Sequence, residues 1–163
     1  MSRVNNKGYV MVLLVIVISI VIVLGASLLN IVFTNYDIKR FNTETKQAFY
    51  LSENGLIESY VTARNLIGEA IEDSVDKVEQ YLIEYPLNED ESEGIFTSNY
   101  RLYITANIKN KINTNSNPSV EIRNGGNLVF IDNVLNVFLR STYVSGGGIE
   151  RIAWVELIIN VPG

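Results

Sequence analysis

The 163-residue chain contains no cysteine and no histidine. These two absences exclude disulfide frameworks, thiolate or imidazole metal sites, and Ser-His or Cys-His nucleophile systems. Neither assigns a compartment, because a chain without cysteine survives on either side of a membrane. Positive charge is outnumbered: 13 Lys and Arg stand against 18 Asp and Glu, for a formal net charge of −5. That balance argues against nucleic acid or an anionic lipid surface as a general partner. No unit recurs at a fixed period, so the chain is not a repeat protein.

What the chain has in abundance is hydrocarbon near its start. Between Val10 and Leu24 the only polar side chain is Ser19, and the apolar character reaches Phe33, loosened by Gly25, Ser27 and Asn30. A bilayer core of about 30 Å needs roughly 20 helical residues, and Tyr9 to Leu29 supplies them. Counting about 0.3–0.6 kcal/mol for each apolar side chain from Val10 to Leu24, insertion is favoured by about 4–8 kcal/mol, far more than one serine costs. In lipid the backbone must satisfy its own hydrogen bonds, so this segment is expected to be helix despite its β-branched residues. Arg3, Lys7 and the terminal amine precede it, while Lys39, Arg40 and Lys46 follow. The positive charges are nearly even across the span. The short leader and the long remainder favour the N-terminus inside.

Beyond the span, Phe41, Ala48, Phe49, Ser52, Leu56, Tyr60, Ala63, Ile67, Ile71, Val75, Val78 and Leu82 recur at mostly three- and four-residue steps. This is the stripe of an amphipathic helix, with Asp73 and Lys77 spaced for a pair on the wet side. Tyr85-Pro86 ends it. One unbroken helix from Tyr9 to Glu84 would run about 110 Å, so a bend or break is expected at Gly55 or Gly68. Residues 100–108, 120–123, 128–131, 134–143 and 149–161 then read as strands. Asn124-Gly125-Gly126 suits a hairpin turn, and Ser145 to Gly148 joins the last two strands. In the last strand Ala153, Val155, Leu157, Ile159 and Val161 share one face. The expected class is α+β, a long N-terminal helix whose distal part packs on a C-terminal antiparallel sheet. Its expected division is 1–8 leader, 9–33 membrane helix, 34–85 amphipathic helix, 86–99 acidic loop and 100–163 sheet.

Order matters at the start. A secretory signal is cut after its apolar region, whereas the small residue here, Gly8, precedes it. Cleavage between Gly8 and Tyr9 would leave the apolar helix on the mature protein. This junction resembles the prepilin signature of type IV pilus and type II secretion pseudopilus subunits. The stretch Gln47 to Glu58, with Ala48, Tyr50, Glu53, Gly55 and Glu58 in place, is similar to the corresponding stretch of PilX-like minor prepilins. The closing hairpin, Phe138 to Val161, resembles theirs more loosely.

That resemblance implies processing and assembly rather than catalysis. A membrane prepilin peptidase would cut after Gly8 and methylate the new amine of Tyr9, with Arg3 and Lys7 holding the leader in the cytoplasm. Further implied partners are other pilins through the apolar helix, an inner-membrane assembly platform, and lipid. The protein would move from the cytoplasmic membrane to a pilus at the cell surface. Most major pilins carry glutamate at the fifth mature position, where this chain has Leu13, and Asn30 stands where many have proline. Both departures resemble scarce, minor subunits at a tip or in an initiating complex. The alternative is a single-pass anchored binding or sensor domain that joins no filament.

Other clusters give less. Glu89 to Gly94 is acidic, but an EF-hand would need glutamate where Tyr100 stands, so a solvated loop is expected. Arg101, Lys109, Lys111 and Arg123, near Tyr100 and Tyr103, read as surface charge rather than a nucleic-acid site. Glu69, Glu72 and Asp73 read as a wet helix face, and Trp154 and Tyr143 as half-buried sheet aromatics. No catalytic constellation and no cofactor is expected.

Overall fold

The computed structural model describes residues 6–86, 91–124 and 128–162. Two compact units divide the chain, Met1–Thr43 and Glu44–Gly163. One helix, α1 (Asn6–Glu84), contributes to both. It ends one residue before Tyr85-Pro86, as the proline rule requires. The expected break is absent: α1 continues through Gly55 and Gly68. A helical glycine costs only about 1 kcal/mol relative to alanine, which the flanking helix formers and the packing around Gly55 offset.

In the first unit every side chain from residue 8 to residue 43 is exposed. The hydroxyls within it turn back on their own helix. Ser19 donates to the Val15 carbonyl (2.8 Å), Ser27 to Val23 (2.8 Å) and Thr34 to Asn30 (2.9 Å). Those polar atoms therefore need no water, which is what a hydrocarbon solvent demands.

The second unit holds the rest of α1, a second helix α2 (Ser92–Ile112), and strands β1 (Ser119–Ile122), β2 (Val134–Val144) and β3 (Glu150–Asn160). The sheet is antiparallel in the order β1-β2-β3. The expected α+β layout, helix over C-terminal antiparallel sheet, is present. Two expected strands are not. Residues 100–108 lie inside α2, because Tyr100, Ile104, Ile108 and Ile112 bury one face at four-residue steps. Their aromatic and β-branched character is satisfied by burial, which overrides strand propensity. Glu93 in the first turn of α2, and Lys109 and Lys111 in the last, suit the helix dipole. Residues 128–131 form no strand beyond a bridge of Ile131 to Val134. A tight turn through Asp132 and Asn133, both at positive φ (48° and 67°), feeds β2 instead. Asp and Asn tolerate that region better than branched residues do. Gly125 and Gly126 of the expected turn, and Glu89 and Asp90 of the expected acidic loop, fall outside the described residues, whereas residues 92–99 of that loop are helix, the first part of α2.

The face α1 buries matches the expected stripe only in part: Ala48, Ser52 and Ala63 are buried and Leu56, Ile67 and Ile71 pack against the core. Ala48, Ser52, Gly55, Ser59, Ala63, Leu66, Ala70 and Ser74 are buried, whereas Phe41, Phe49, Tyr60 and Val75 are exposed. Small residues allow close approach, so α1 presents its narrow side inward. The buried serines cost little because each donates to its own helix: Ser52 to Phe49 (2.7 Å), Ser59 to Gly55 (2.8 Å) and Ser74 to Ala70 (2.6 Å). Asp73, spaced to meet Lys77, accepts a hydrogen bond from Asn99 of α2 at 2.7 Å. Leu66, Ala63 and Ala70 meet Tyr100, Ile104 and Ile108 of α2, with Leu135, Val137 and Leu139 of β2, in one core.

Tyr100 stands at its centre, stacked on Phe96 and donating its hydroxyl to the Asn160 carbonyl at 3.1 Å. Tyr100→Phe is expected to cost about 1 kcal/mol, the worth of that bond, measured by denaturant unfolding followed through Trp154. Burial raises the Tyr100 pKa above the ordinary 10.0. The unfolded chain therefore loses this proton first, so stability is full below pH 10 and falls as pH climbs through the folded-state value. Unfolding titrations above pH 10 should show that fall in the native chain and a shallower one in Tyr100→Phe.

Candidate functional site

Two features can carry function, one in each unit. In the first, Gly8 and Tyr9 lie within α1, both exposed, and Leu13 follows one turn on, also exposed. Lys7 belongs to the same helix, while Arg3 lies outside the described residues. This part of α1 is long and apolar enough to cross a membrane, and none of its apolar stretch is buried. A helix apolar on all sides and covered by nothing of its own fold needs a lipid or protein surround.

In the second unit the motif Ala48-Tyr50-Glu53-Gly55-Glu58 divides by helical phase. Ala48 and Gly55 are buried and set how closely α1 lies on the sheet. Tyr50 and Glu58 point to solvent, and Glu53 is half-buried. A Cβ on Gly55 would lie 2.5 Å from the Ser141 hydroxyl and 3.0 Å from Cγ of Pro118. Gly55 is thus a point of close contact. A second lies at Gly147 in the β2–β3 turn, where a Cβ would meet the Glu44 carboxylate.

Beside this contact runs a groove of about 430 Å³, lined by Glu53, Leu56, Ile57 and Tyr60 of α1 and by Trp154, Val155 and Leu157 of β3. Trp154 is 60 % exposed, more than a half-buried sheet aromatic would be, with the Arg140 guanidinium 5.6 Å from its ring centre. Sequence reasoning found Trp154 and Glu53 separately but did not join them. Ile57 was the available signal, an aliphatic residue off the buried stripe. Tyr143 is half-buried, as expected.

Three of the four basic residues singled out, all but the exposed Lys109, have partners. Arg101 donates to Asn133 and sits over Phe130, Lys111 pairs with Glu69 at 3.3 Å, and Arg123 with Glu121 at 2.6 Å. A recess of about 700 Å³ beside Arg101, lined by Thr97, Thr105 and Phe130, is larger than the groove. Its one cation is held by Asn133 and Phe130. Tyr103 donates to Glu69 at 3.3 Å, and desolvation first, then the nearby Glu69 charge, raise its pKa. Among the described residues no three acidic side chains gather to hold a metal ion.

Compared with known protein families, curated proteins and solved structures, the chain matches none. Function must therefore be argued from these residues alone.

Proposed function

We propose that this protein is a minor pilin, a subunit of a type IV pilus or related filament. In this reading it is inserted with its N-terminus in the cytoplasm, trimmed between Gly8 and Tyr9, and drawn from the membrane into the fibre. One observation supports the proposal: an all-round apolar stretch of α1, uncovered by its own fold, follows directly on a basic segment ending in glycine. Lipid covers such a helix before assembly, and neighbouring helices cover it afterwards, so its surface stays dry throughout. Leader removal takes away Arg3 and Lys7, whose charges would each oppose that transfer by about 2.5–3.5 kcal/mol at mid-membrane. Leu13 asks for no charged partner in the fibre core. This suits a subunit used in few copies, at the tip or in initiation.

The decisive measurement is intact mass after co-expression with a prepilin peptidase. Loss of residues 1–8 and one added methyl on Tyr9 is the expected result. A product keeping residues 1–8 would instead favour an anchored binding domain that never enters a filament.

A further inference from the structure

We infer that the recess beside Arg101 is a binding site for a sugar acid, with the sugar's carboxylate on the guanidinium and its hydroxyls at Thr97 and Ser98. The recess lies within the second unit, so the inference stands apart from the minor-pilin reading.

Arg101 differs from its neighbours in what holds it. Lys111, Arg123 and Arg140 each meet a carboxylate. Arg101 meets none among the described residues: it donates to the Asn133 side-chain carbonyl and lies 5.9 Å from the Phe130 ring centre. Both partners are neutral, so they fix the guanidinium in place without cancelling its charge. The side chain is partly buried, and its Nε is fully buried without a hydrogen-bond partner. A cation partly out of water attracts an arriving anion more strongly than a solvated one does, and a guanidinium offers a carboxylate two parallel N–H groups.

The groups that hold Arg101 are themselves held. Asn133 sits at a φ of 67°, and its backbone carbonyl accepts from the Val161 N–H at 2.9 Å. The turn that carries it is closed by two hydrogen bonds between Ile131 and Val134, at 2.8 and 2.9 Å. Phe130 lies edge-on to the buried Tyr100. A receptor fixed in this way gives up little freedom on binding.

The hydroxyls point to the rest of the ligand. In the helices of this unit Ser59, Thr62, Ser74 and Thr105 each donate to the carbonyl four residues back. Thr97 and Ser98 line the recess and make no hydrogen bond among the described residues. Their donors and acceptors are therefore both open. Residues 97, 98 and 101 are three and four apart, which puts them on one face of α2. A fatty or aromatic acid would leave those hydroxyls unmatched, whereas a sugar ring meets them. Leu128 and Phe130 supply an apolar wall for the ring's less polar side.

Glu93 is the one carboxylate lining the recess. It lies eight residues before Arg101, about 12 Å along the helix, beyond a physiological Debye length of about 8 Å. It leaves the Arg101 end open to an anion and disfavours a second negative group at the Gly94 end. One carboxylate on a neutral, hydroxylated body fits that layout; a polyanion does not. The volume of about 700 Å³ falls in the range of small-molecule sites.

The probe is D-glucuronate, titrated into the full-length, nitrogen-15-labelled chain in detergent, with the Thr97, Ser98 and Thr105 amide resonances as the readout. Saturable shifts are expected, with affinity at least tenfold weaker for D-glucose, which lacks the carboxylate, and for acetate, which lacks the ring. Arg101→Gln should weaken glucuronate binding at least tenfold with circular dichroism unchanged. Thr97→Ala with Ser98→Ala should weaken glucuronate about tenfold and leave acetate unchanged, a split that a collapsed recess would not give. Methyl β-D-glucuronide binding as tightly as glucuronate would assign the end residue of a glycan, and its weaker binding the free sugar; both support the site. Three results overturn the inference: no saturable shift with glucuronate, acetate or inorganic phosphate binding as tightly, or native affinity in Arg101→Gln.

Discussion

Replacing Gly55 with leucine is expected to destabilise the second unit by about 3 kcal/mol, at the upper end of the usual cost of overpacking. The first added carbon already lies 2.5 Å from the Ser141 hydroxyl and 3.0 Å from the Pro118 ring. Ser141 is itself fully buried, on an inward-facing position of β2. Gly68 is the matched control on the same helix. A Cβ there meets nothing within 4 Å, so Gly68→Ala should gain about 1 kcal/mol from helix propensity alone. Thermal unfolding of the full chain in detergent, followed by Trp154 emission, should lower the midpoint by roughly 10 °C for the leucine variant. Ser141→Ala carries a second expectation. Its hydroxyl is buried without a hydrogen-bond partner, so its removal should be neutral or stabilising, and should recover part of the loss in Gly55→Ala. Additive effects in that double mutant would show that the two side chains do not share the space assigned to them.

Gly8→Phe is expected to abolish processing altogether. A peptidase must grip the backbone at the junction, and Gly8 lies inside α1. A glycine there weakens the local helix by about 1 kcal/mol and offers the least bulk to a cleft. Phenylalanine reverses both effects, and alanine reverses the first alone, so cleavage should be slow with alanine and absent with phenylalanine. Intact-mass spectra of the two variants, co-expressed with the peptidase, separate these outcomes. An uncut subunit keeps Arg3 and Lys7 and should be missing from sheared filaments. Normal trimming and normal incorporation of Gly8→Phe would remove the main support for a prepilin junction.

Local pattern carried much of the architecture. The apolar run, the stop at Tyr85-Pro86, and strands β2 and β3 with their joining turn all follow from neighbours in sequence. Hydrocarbon length, a missing proline N–H and two-residue alternation act over a few residues and ask nothing of the rest of the fold. The errors share one cause. Tyr100, Ile104 and Ile108 look like strand residues until four-residue spacing is weighed against a core waiting for them. On α1 the expected stripe held Ala48 and Ala63, which go inward, but also Phe41, Phe49 and Tyr60, which do not, and it passed over Gly55, Leu66 and Ala70. Hydrophobicity ranks side chains by transfer energy, whereas packing against a sheet ranks them by size. The groove was illegible for a further reason: Trp154 lies about 100 residues from Glu53 and Ile57 in the chain and meets them only once β3 lies alongside α1.

By itself the sequence determined that a membrane-compatible helix opens this chain, that helix precedes sheet, and that histidine and cysteine chemistry is closed to it. These follow from composition and from interactions between residues near in the chain. Which face of α1 turns inward, and that α2 is a helix, were decided only by tertiary structure. Burial and close approach are properties of surfaces brought together, and no single segment holds them alone.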